Sequence, residues 1–409
     1  MLRLNPFRAL RPLPNLAPSV ACVPYDVLST TEARALAKGN PNSFLHVIRP
    51  EIDLPEDTNP YDEIVYEKAR QNLDRLFAEG VLVQEIEPTM YLYRQVLNHT
   101  LQTGLVCCCH IEDYANNIIK KHEKTRPDKE DDRMRHMLSL NANPGPVFLT
   151  YRDHEDIEVL VAKDINDRPL FHFNSPDGVT HTVWTVHDPQ VYIDAFAGIE
   201  AAYVADGHHR SAAAARAGAQ LRAANPNHRG DEEYNWFMTV LFPASQLTIL
   251  PYNRVIADLN GKTLKTVFAE LAEIGRLTET DDPKPDRPGV FCLYLDGRWH
   301  KLELDPGSID QTDPIASLDV DLLQGRILTP ILGIGDPRTD KRIGFVGGAR
   351  GTDELKNRVD SRQAALAISM FATSIEQLLE VSDADLVMPP KSTWFEPKLR
   401  SGLFTHRLE

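Results

Sequence analysis

A mixed α/β architecture, with sheets flanked by helices, is what the sequence predicts, and three observations predict it. Short apolar runs alternate with amphipathic, helix-like segments along nearly the whole chain. Two pairs of alternating runs flank tight turn signals, Asn98-His99-Thr100 and Asp296-Gly297-Arg298, which demand antiparallel hairpins beside any parallel crossover. The chain has 409 residues, too many for one ordinary core.

The elements follow in order. Val20 to Pro24 is apolar and closes at a Pro-Tyr-Asp turn. Ser29, with Glu32 three residues on, has the spacing of a capping box and opens a helix that stops at Gly39-Asn40-Pro41. Phe44 to Ile48 is predicted as a strand. Tyr61 to Glu79 is predicted as an amphipathic helix with Ile64, Ala69, Leu73 and Phe77 near one face and Gly80 as its stop. Met90–Val96 and Gln102–Ile111 form the first hairpin. Lys129–Leu140 is helical, and Pro146–Tyr151, Ile157–Ala162 and Thr180–Val186 are predicted strands. Val191–Gly198 is a helix leading into the strand Ala201–Ala205. Asp206 to Arg210 is a loop, and Ser211–Ala224 is an alanine-rich helix. Strands at Phe237–Phe242 and Leu247–Leu250, a helix at Thr263–Glu273 and a polar connection from Thr278 come next. The second hairpin pairs Phe291–Leu295 with Trp299–Leu304. The last predicted elements are helices near Leu318–Leu328, Asp353–Val359 and Ser374–Val381, and a strand at Ile343–Val346. Met388–Leu403, rich in Pro, Lys and Ser, is a loop with anchors. This order divides the chain into an N-terminal domain over 1–150, a central one over 151–260 and a C-terminal one over 261–409.

Composition narrows the function. Hydrophobic residues make up 42% and charged residues 25%, ordinary globular values, and the net charge is −15. Non-specific binding to nucleic acid runs on Lys and Arg displacing counterions, so this charge argues against it. No apolar run reaches bilayer length, and the start at Met1 lacks the apolar stretch of a signal peptide. The five cysteines include three in a row, Cys107 to Cys109, which point alternately to opposite faces of a strand and fit no metal-ligand spacing. A reduced, cytoplasmic protein is expected.

Three constellations carry candidate chemistry. In Tyr203-Val204-Ala205-Asp206-Gly207-His208-His209-Arg210 a strand ends, a glycine permits a tight turn and a helix begins. The first amides of that helix are unsatisfied and its dipole favours an anion. Arg210 offers a planar fork matched to phosphate oxygens, His208 and His209 titrate near neutrality, and Asp206 is a base or cation ligand. In the second, His122 and Glu123 precede Asp132 and Arg133 at a helix start, pairing a general base or metal carboxylate with phosphate-binding arginine, against the plainer reading of a solvated charged loop. In the third, Lys391, Ser392 and Thr393 follow two prolines, with Lys398 beyond, a compact anion-binding set or else a structural tail packed by Trp394 and Phe395. Asn253 and Arg254 follow a strand and add an amide and a guanidinium. Gly347-Gly348-Ala349-Arg350-Gly351 lacks the spacing of a phosphate-binding P-loop, and no dinucleotide fingerprint is present.

The Asp206-Gly207-His208-His209-Arg210 loop resembles the nucleotide-binding motif of the ParB/sulfiredoxin superfamily, in particular that of the ADP-dependent free serine kinases. More widely, the chain resembles domain-of-unknown-function family 1015. The residues that carry this likeness are Val23 to Val27, Asn40-Pro41, His122-Glu123 with Asp132-Arg133, Asp206 to Arg210, Leu250 to Arg254, and Met388 to Phe395 with Pro397-Lys398. The resemblance implies a ParB/sulfiredoxin-like core and phosphoryl transfer on a small hydroxyl metabolite, serine or O-phosphoserine. It implies either a phosphoserine phosphatase, needing no nucleotide, or a serine kinase using ADP or ATP. In that reading Gly207, Arg210, His122, Arg133, Asn253, Arg254, Lys391, Ser392, Thr393 and Lys398 hold substrate. His208 and His209 are acid, base or nucleophile; from residue chemistry rather than the resemblance, Glu123 is expected to activate water or the substrate hydroxyl and, with Asp206, to hold Mg²⁺. The alternative is a nucleotide-binding switch of the ParB kind. A sulfiredoxin-type redox enzyme would need a cysteine in the loop, and there is none.

Overall fold

The structure, a computed structural model, describes residues 1–409. The chain forms two compact units. Unit 1 is made of residues 1–121, 125–247 and 397–409, and unit 2 of residues 122–124 and 248–396.

Unit 1 is built on a nine-stranded mixed sheet. Its strands are β1 (Leu4–Asn5), β2 (Tyr91–Leu97), β3 (Thr100–His110), β4 (Ile119–Lys120), β5 (Val147–Tyr151), β6 (Phe171–Asn174), β7 (Thr180–Thr185), β8 (Ala202–Asp206) and β9 (Trp236–Pro243). The order is β4-β8-β5-β9-β3-β2-β7-β6, with β1 pairing on β3. β8 runs parallel to β4 and β9 parallel to β5, while the other pairings are antiparallel. Cys107 and Cys109 point from β3 into one core with Leu149, Val204, Phe237 and Leu241, the alternation expected of a strand. A second cluster lies beneath helices α1 (Thr30–Ala37) and α2 (Glu63–Ala78), around Phe44, Ala69, Leu73 and Leu76. α3 (Pro127–Leu140), α4 (Glu155–Asp164) and α5 (His208–Ala224) are further helices of the unit.

Unit 2 carries a six-stranded, wholly antiparallel sheet. Its strands are β10 (Tyr252–Ile256), β11 (Gly275–Thr280), β12 (Val290–Leu295), β13 (Arg298–Leu304), β14 (Ile343–Gly347) and β15 (Leu366–Met370), in the order β11-β13-β12-β15-β10-β14. Helix α6 (Gly351–Asp360) packs on one face through Leu355 against Val255, Tyr294 and Ala367.

The expected class, mixed sheets with flanking helices, is the one observed. Its local punctuation also holds. Ser29 accepts from the Glu32 amide and Glu32 accepts from the Ser29 amide. The hairpin turns place Asn98, Asp296 and Gly297 at positive φ. No helix is long and apolar enough to cross a membrane.

Four expectations are corrected. Ile157–Ala162 is helix within α4, not strand: only its Ile157 is buried, Val159 is exposed, and acidic residues in the first turn favour the helix dipole. Phe44–Ile48 is a helical turn over Leu45–Ile48, whose apolar residues are buried on every side and so carry no strand alternation. In α2 the buried face is Val65, Tyr66, Ala69, Leu73 and Leu76, while Ile64 and Phe77 are exposed. The domain division at 150 falls within β5, which is locked between β8 and β9 by strands from beyond residue 200.

Candidate functional site

In unit 1, the strand-to-helix turn after β8 is shaped before any side chain acts. The β8–β5 register slips between Val204 and Asp206, a bulge of the kind that re-aims a side chain at a strand's end. Gly207 then adopts φ 100° and ψ 30° as the N-cap of α5. A Cβ there would sit 3.1 Å from the Arg210 guanidinium, so glycine is needed both for the left-handed backbone and for the close approach. The first amides of α5 follow at once, in the residues that carry His208, His209 and Arg210.

The charges interlock. Lys398 Nζ donates to Asp206 Oδ2 at 2.9 Å, and Arg210 Nη2 lies 3.9 Å from Asp206 Oδ1. Burial pushes the Asp206 carboxyl up, but Lys398 and Arg210 outweigh it and hold the group well below the usual carboxylate range. Arg210 Nη1 donates to the Pro146 carbonyl, and its buried Nε has no hydrogen-bond acceptor. Burial lowers His208 to about 4, with His209, Arg210 and Lys121 adding to the fall and Asp206 opposing it, so the imidazole is neutral at pH 7. The Arg126 amide donates to His209 Nε2 at 3.1 Å, which leaves the ring proton of neutral His209 on Nδ1.

The turn is flanked by a half-buried arginine. Arg133 Nε and Nη2 donate to Asp132 Oδ2 at 3.0 and 2.6 Å, Tyr66 donates to Asp132 Oδ1 at 2.8 Å, and the guanidinium lies 4.2 Å from the centre of the Tyr25 ring. Arg133, Arg210, Tyr25, His136, Asn143 and Ser401 all line one small cavity of about 30 Å³, which is room for about one water molecule. α3 is fixed beside α5 by Arg216, whose Nη1 and Nη2 reach Glu130 at 3.2 Å and Asp131 at 2.5 Å.

Lys398 is delivered by two glutamines. Gln95 and Gln102 are directly opposite on β2 and β3, buried, and bonded to each other at 2.9 Å. Gln95 Nε2 donates to the Lys398 carbonyl at 2.9 Å and Gln102 Nε2 to the Pro397 carbonyl at 3.4 Å. Neither glutamine was a sequence candidate. The available signal was a pair of amides placed symmetrically about the Asn98 hairpin turn, where β-branched residues would be usual.

The predicted residues therefore divide. Unit 1 gathers Asp206, Gly207, His208, His209, Arg210 and Lys398, with Arg133 sharing the Arg210 cavity. Unit 2 holds His122, Glu123, Asn253, Arg254, Lys391, Ser392 and Thr393. His122 is buried, and its carbonyl accepts from the Met388 amide at 2.8 Å; Glu123 is half-buried beside it. Asn253 Oδ1 accepts the Met370 amide at 3.0 Å, where the β10–β15 ladder has ended. Ser392 is likewise spent locally, donating to the Pro389 carbonyl at 2.6 Å while its own carbonyl accepts from Thr373. The donor set around Asp206 does not fit a divalent cation: both carboxylate oxygens face cations, and no group of three His, Cys, Asp or Glu side chains could hold a metal.

A protein-family model described as "Protein of unknown function (DUF1015)" matches residues 4–321. Among solved structures, a free serine kinase in complex with AMP is similar at 11% identity and a TM-score of 0.35, covering 71% of this chain and 87% of that one. A conserved hypothetical protein from Pyrococcus furiosus is similar at 12% identity and a TM-score of 0.35, with 73% and 93% coverage. SbnI from Staphylococcus aureus, C-terminally truncated, is similar at 11% identity and a TM-score of 0.37, with 72% and 85% coverage. No curated protein sequence matches the chain.

Proposed function

We propose that this chain, which belongs to the DUF1015 family, is a phosphoryl-transfer enzyme whose phosphate seat is the first turn of α5. One observation carries the reading: a helix N-terminus opens on a left-handed glycine with Arg210 and Lys398 both against Asp206. Helix amides and two cations are the apparatus that anionic phosphoryl oxygens require, since such transfer needs charge neutralisation and alignment more than covalent help.

The roles follow from the protonation states. Asp206 stays ionised and orients Lys398 and Arg210. His208, neutral at pH 7, has a lone pair to take a proton from the attacking hydroxyl or to attack phosphorus itself. His209 keeps Nδ1–H as a donor to a phosphoryl oxygen or to the leaving oxygen. In transfer to water, a water oxygen forms the new bond to phosphorus, the ester oxygen leaves, and the ester oxygen takes up a proton. In transfer to ADP, a terminal phosphate oxygen of ADP forms the new bond to phosphorus, the ester oxygen leaves and takes up a proton, and ATP is the product. The resemblance of the loop to that of serine kinases makes O-phosphoserine and serine the first pair to try.

The test is phosphate release from O-phosphoserine, with and without ADP. Release without nucleotide means a phosphatase. ATP formed at the expense of O-phosphoserine means a reversible kinase. No turnover of either kind, with phosphate still bound, would replace the enzyme by a nucleotide- or phosphate-binding switch.

A further inference from the structure

Unit 1 holds a second cavity, of about 250 Å³, lined by Arg8, Gln84, Glu233, His406, Arg407 and Glu409. Short strand pairings bring these residues together. Leu10–Pro12 pairs with Leu82–Gln84, and His406–Arg407 pairs with Ala142–Asn143. Leu10 and Thr405 join the two pairs through reciprocal backbone hydrogen bonds at 2.9 Å, and Glu233 lies on the short turn that leads into β9.

His406 is the buried member of the lining. It is 1% exposed, its ring meets Phe7 edge-on at 5.7 Å, and Nε2 lies 2.8 Å from Glu233 Oε2. The carboxylate keeps a proton on Nε2, which makes Nδ1 of a neutral ring an acceptor, and that buried atom has no hydrogen-bond partner. Gln84 has the same deficit: Nε2 donates to the Arg8 carbonyl, while the buried Oε1 accepts nothing. Buried polar atoms are nearly always paired, so two unmet acceptors in one wall call for a partner that carries N–H or O–H groups. A water would serve the acceptors, but the charges call for more. Arg407 is closed against Glu409, and Glu233 gives only Oε2 to His406. Arg8 is exposed and pairs with no carboxylate. The cavity therefore offers one free guanidinium and one free carboxylate oxygen, Glu233 Oε1, beside the two unmet acceptors. A dianion would meet repulsion from Glu233 and Glu409, and a diamine from Arg8 and Arg407; a ligand with one charge of each sign meets neither.

We propose that this cavity binds a free α-amino acid, with its carboxylate on Arg8 and its ammonium among Glu233, Gln84 and His406. The guanidinium fork matches a carboxylate. An ammonium has three donors, and Glu233 Oε1, Gln84 Oε1 and His406 Nδ1 are three acceptors. The site stands on these side chains alone and does not depend on the α5 reading.

The test is equilibrium dialysis of the full chain against an equimolar mixture of the twenty common L-amino acids, with the retained species identified by mass spectrometry and then titrated calorimetrically. One equivalent of an amino acid is expected to be retained. Its analogue without the amino group and its analogue without the carboxyl group should each bind about tenfold more weakly or worse, since each forfeits a charge-assisted contact. Arg8→Ala, an exposed change that breaks no ion pair, should weaken binding about tenfold, and Glu233→Gln, which still accepts from His406, should do so several-fold. Arg210→Ala should leave this equivalent in place. Retention of no amino acid overturns the proposal. So does equal affinity for the analogue without the amino group, which would make the cavity a plain anion site. Binding kept in Arg8→Ala and lost in Arg210→Ala would put the ligand at α5 and overturn it as well. If Glu233→Gln fails to fold, Arg8→Ala decides alone, and unchanged affinity there overturns the proposal.

Discussion

The Lys398 ammonium lies 2.9 Å from the Asp206 carboxylate across 192 residues of chain. Both side chains are largely shielded from water, 13% and 23% exposed. Removing one member of such a pair leaves the other buried and unpaired, so Lys398→Met should cost about 3 kcal/mol of unit 1 stability. The carboxyl's depressed pKa contributes stability that is present above the unfolded value near 4 and is lost as pH falls through the lower folded value. In Lys398→Met the folded value rises, so that contribution shrinks and the acid transition moves to higher pH. Denaturant unfolding between pH 2 and 5 checks both effects; an unmoved acid limb would mean that Lys398 does not hold the carboxyl down.

His208 gives a slope in a different window. Its folded pKa, about 4, lies below the unfolded value near 6.5, so the native state binds fewer protons there. Stability is full above pH 6.5 and falls as the pH drops towards 4, by up to about 3 kcal/mol. His208→Gln should flatten this slope and remove turnover. Parallel urea titrations of the two proteins at pH 4.5 and 7 decide it, and identical slopes would dismiss a buried neutral imidazole.

Asp319 of unit 2 slopes the other way. Burial raises its carboxyl to about 7, the Gly289 amide opposes this only partly, and Oδ2 has no hydrogen-bond partner. The group favours folding when protonated, so unit 2 should lose stability as pH rises from about 4 to about 7. Asp319→Asn, which still accepts from the Gly289 amide, should abolish that loss and raise the Tm of unit 2 at pH 8. Calorimetry of wild type and variant at pH 5 and pH 8 tests this, since a Tm for the variant no higher at pH 8 contradicts it.

Gly207→Ala isolates the backbone of the α5 turn. The new Cβ meets left-handed strain of about 1–2 kcal/mol and the Arg210 guanidinium at 3.1 Å. Arg210 must shift, and phosphate affinity at α5 should fall about tenfold, one charge-assisted contact's worth. Phosphate titration of unit 1's site in Gly207→Ala and in Arg210→Ala should give losses of similar size. Full affinity in the Gly207→Ala protein would show that the close approach is incidental.

What the sequence made legible was local. The Asp206–Arg210 turn announced itself because strand, glycine and helix N-terminus are contiguous, and the Ser29 capping box and the Asp296-Gly297 turn are equally short-range. Lys398 could be named as an anion binder, yet not placed. Its position depends on Gln95 and Gln102 capturing two backbone carbonyls some 300 residues away, and no periodicity encodes a contact between a sheet face and a distant irregular segment. The failures at Ile157–Ala162 and at Ile64 and Phe77 share a cause. Apolar residues stand exposed there, so hydrophobic pattern ceased to report the buried face. The local bonds of Asn253 and Ser392 were illegible for another reason: a polar side chain that satisfies a stray backbone group looks the same, in sequence, as one that meets solvent or a ligand.

The glutamine clasp also sets an order of events during synthesis. Asp206 emerges from the ribosome 192 residues ahead of the ammonium that donates to it, and until then its close cation is Arg210, 3.9 Å away on the same turn. A nascent chain can pair β2 with β3 early, since they are joined by a tight turn, and so display the two amides as a waiting dock. Closure of unit 1 over the α5 turn must await translation of Pro397 and Lys398. The same two hydrogen bonds that position a cation thereby act as a completeness check, and a polypeptide stopped short of Pro397 leaves Asp206 without the ammonium that donates to it.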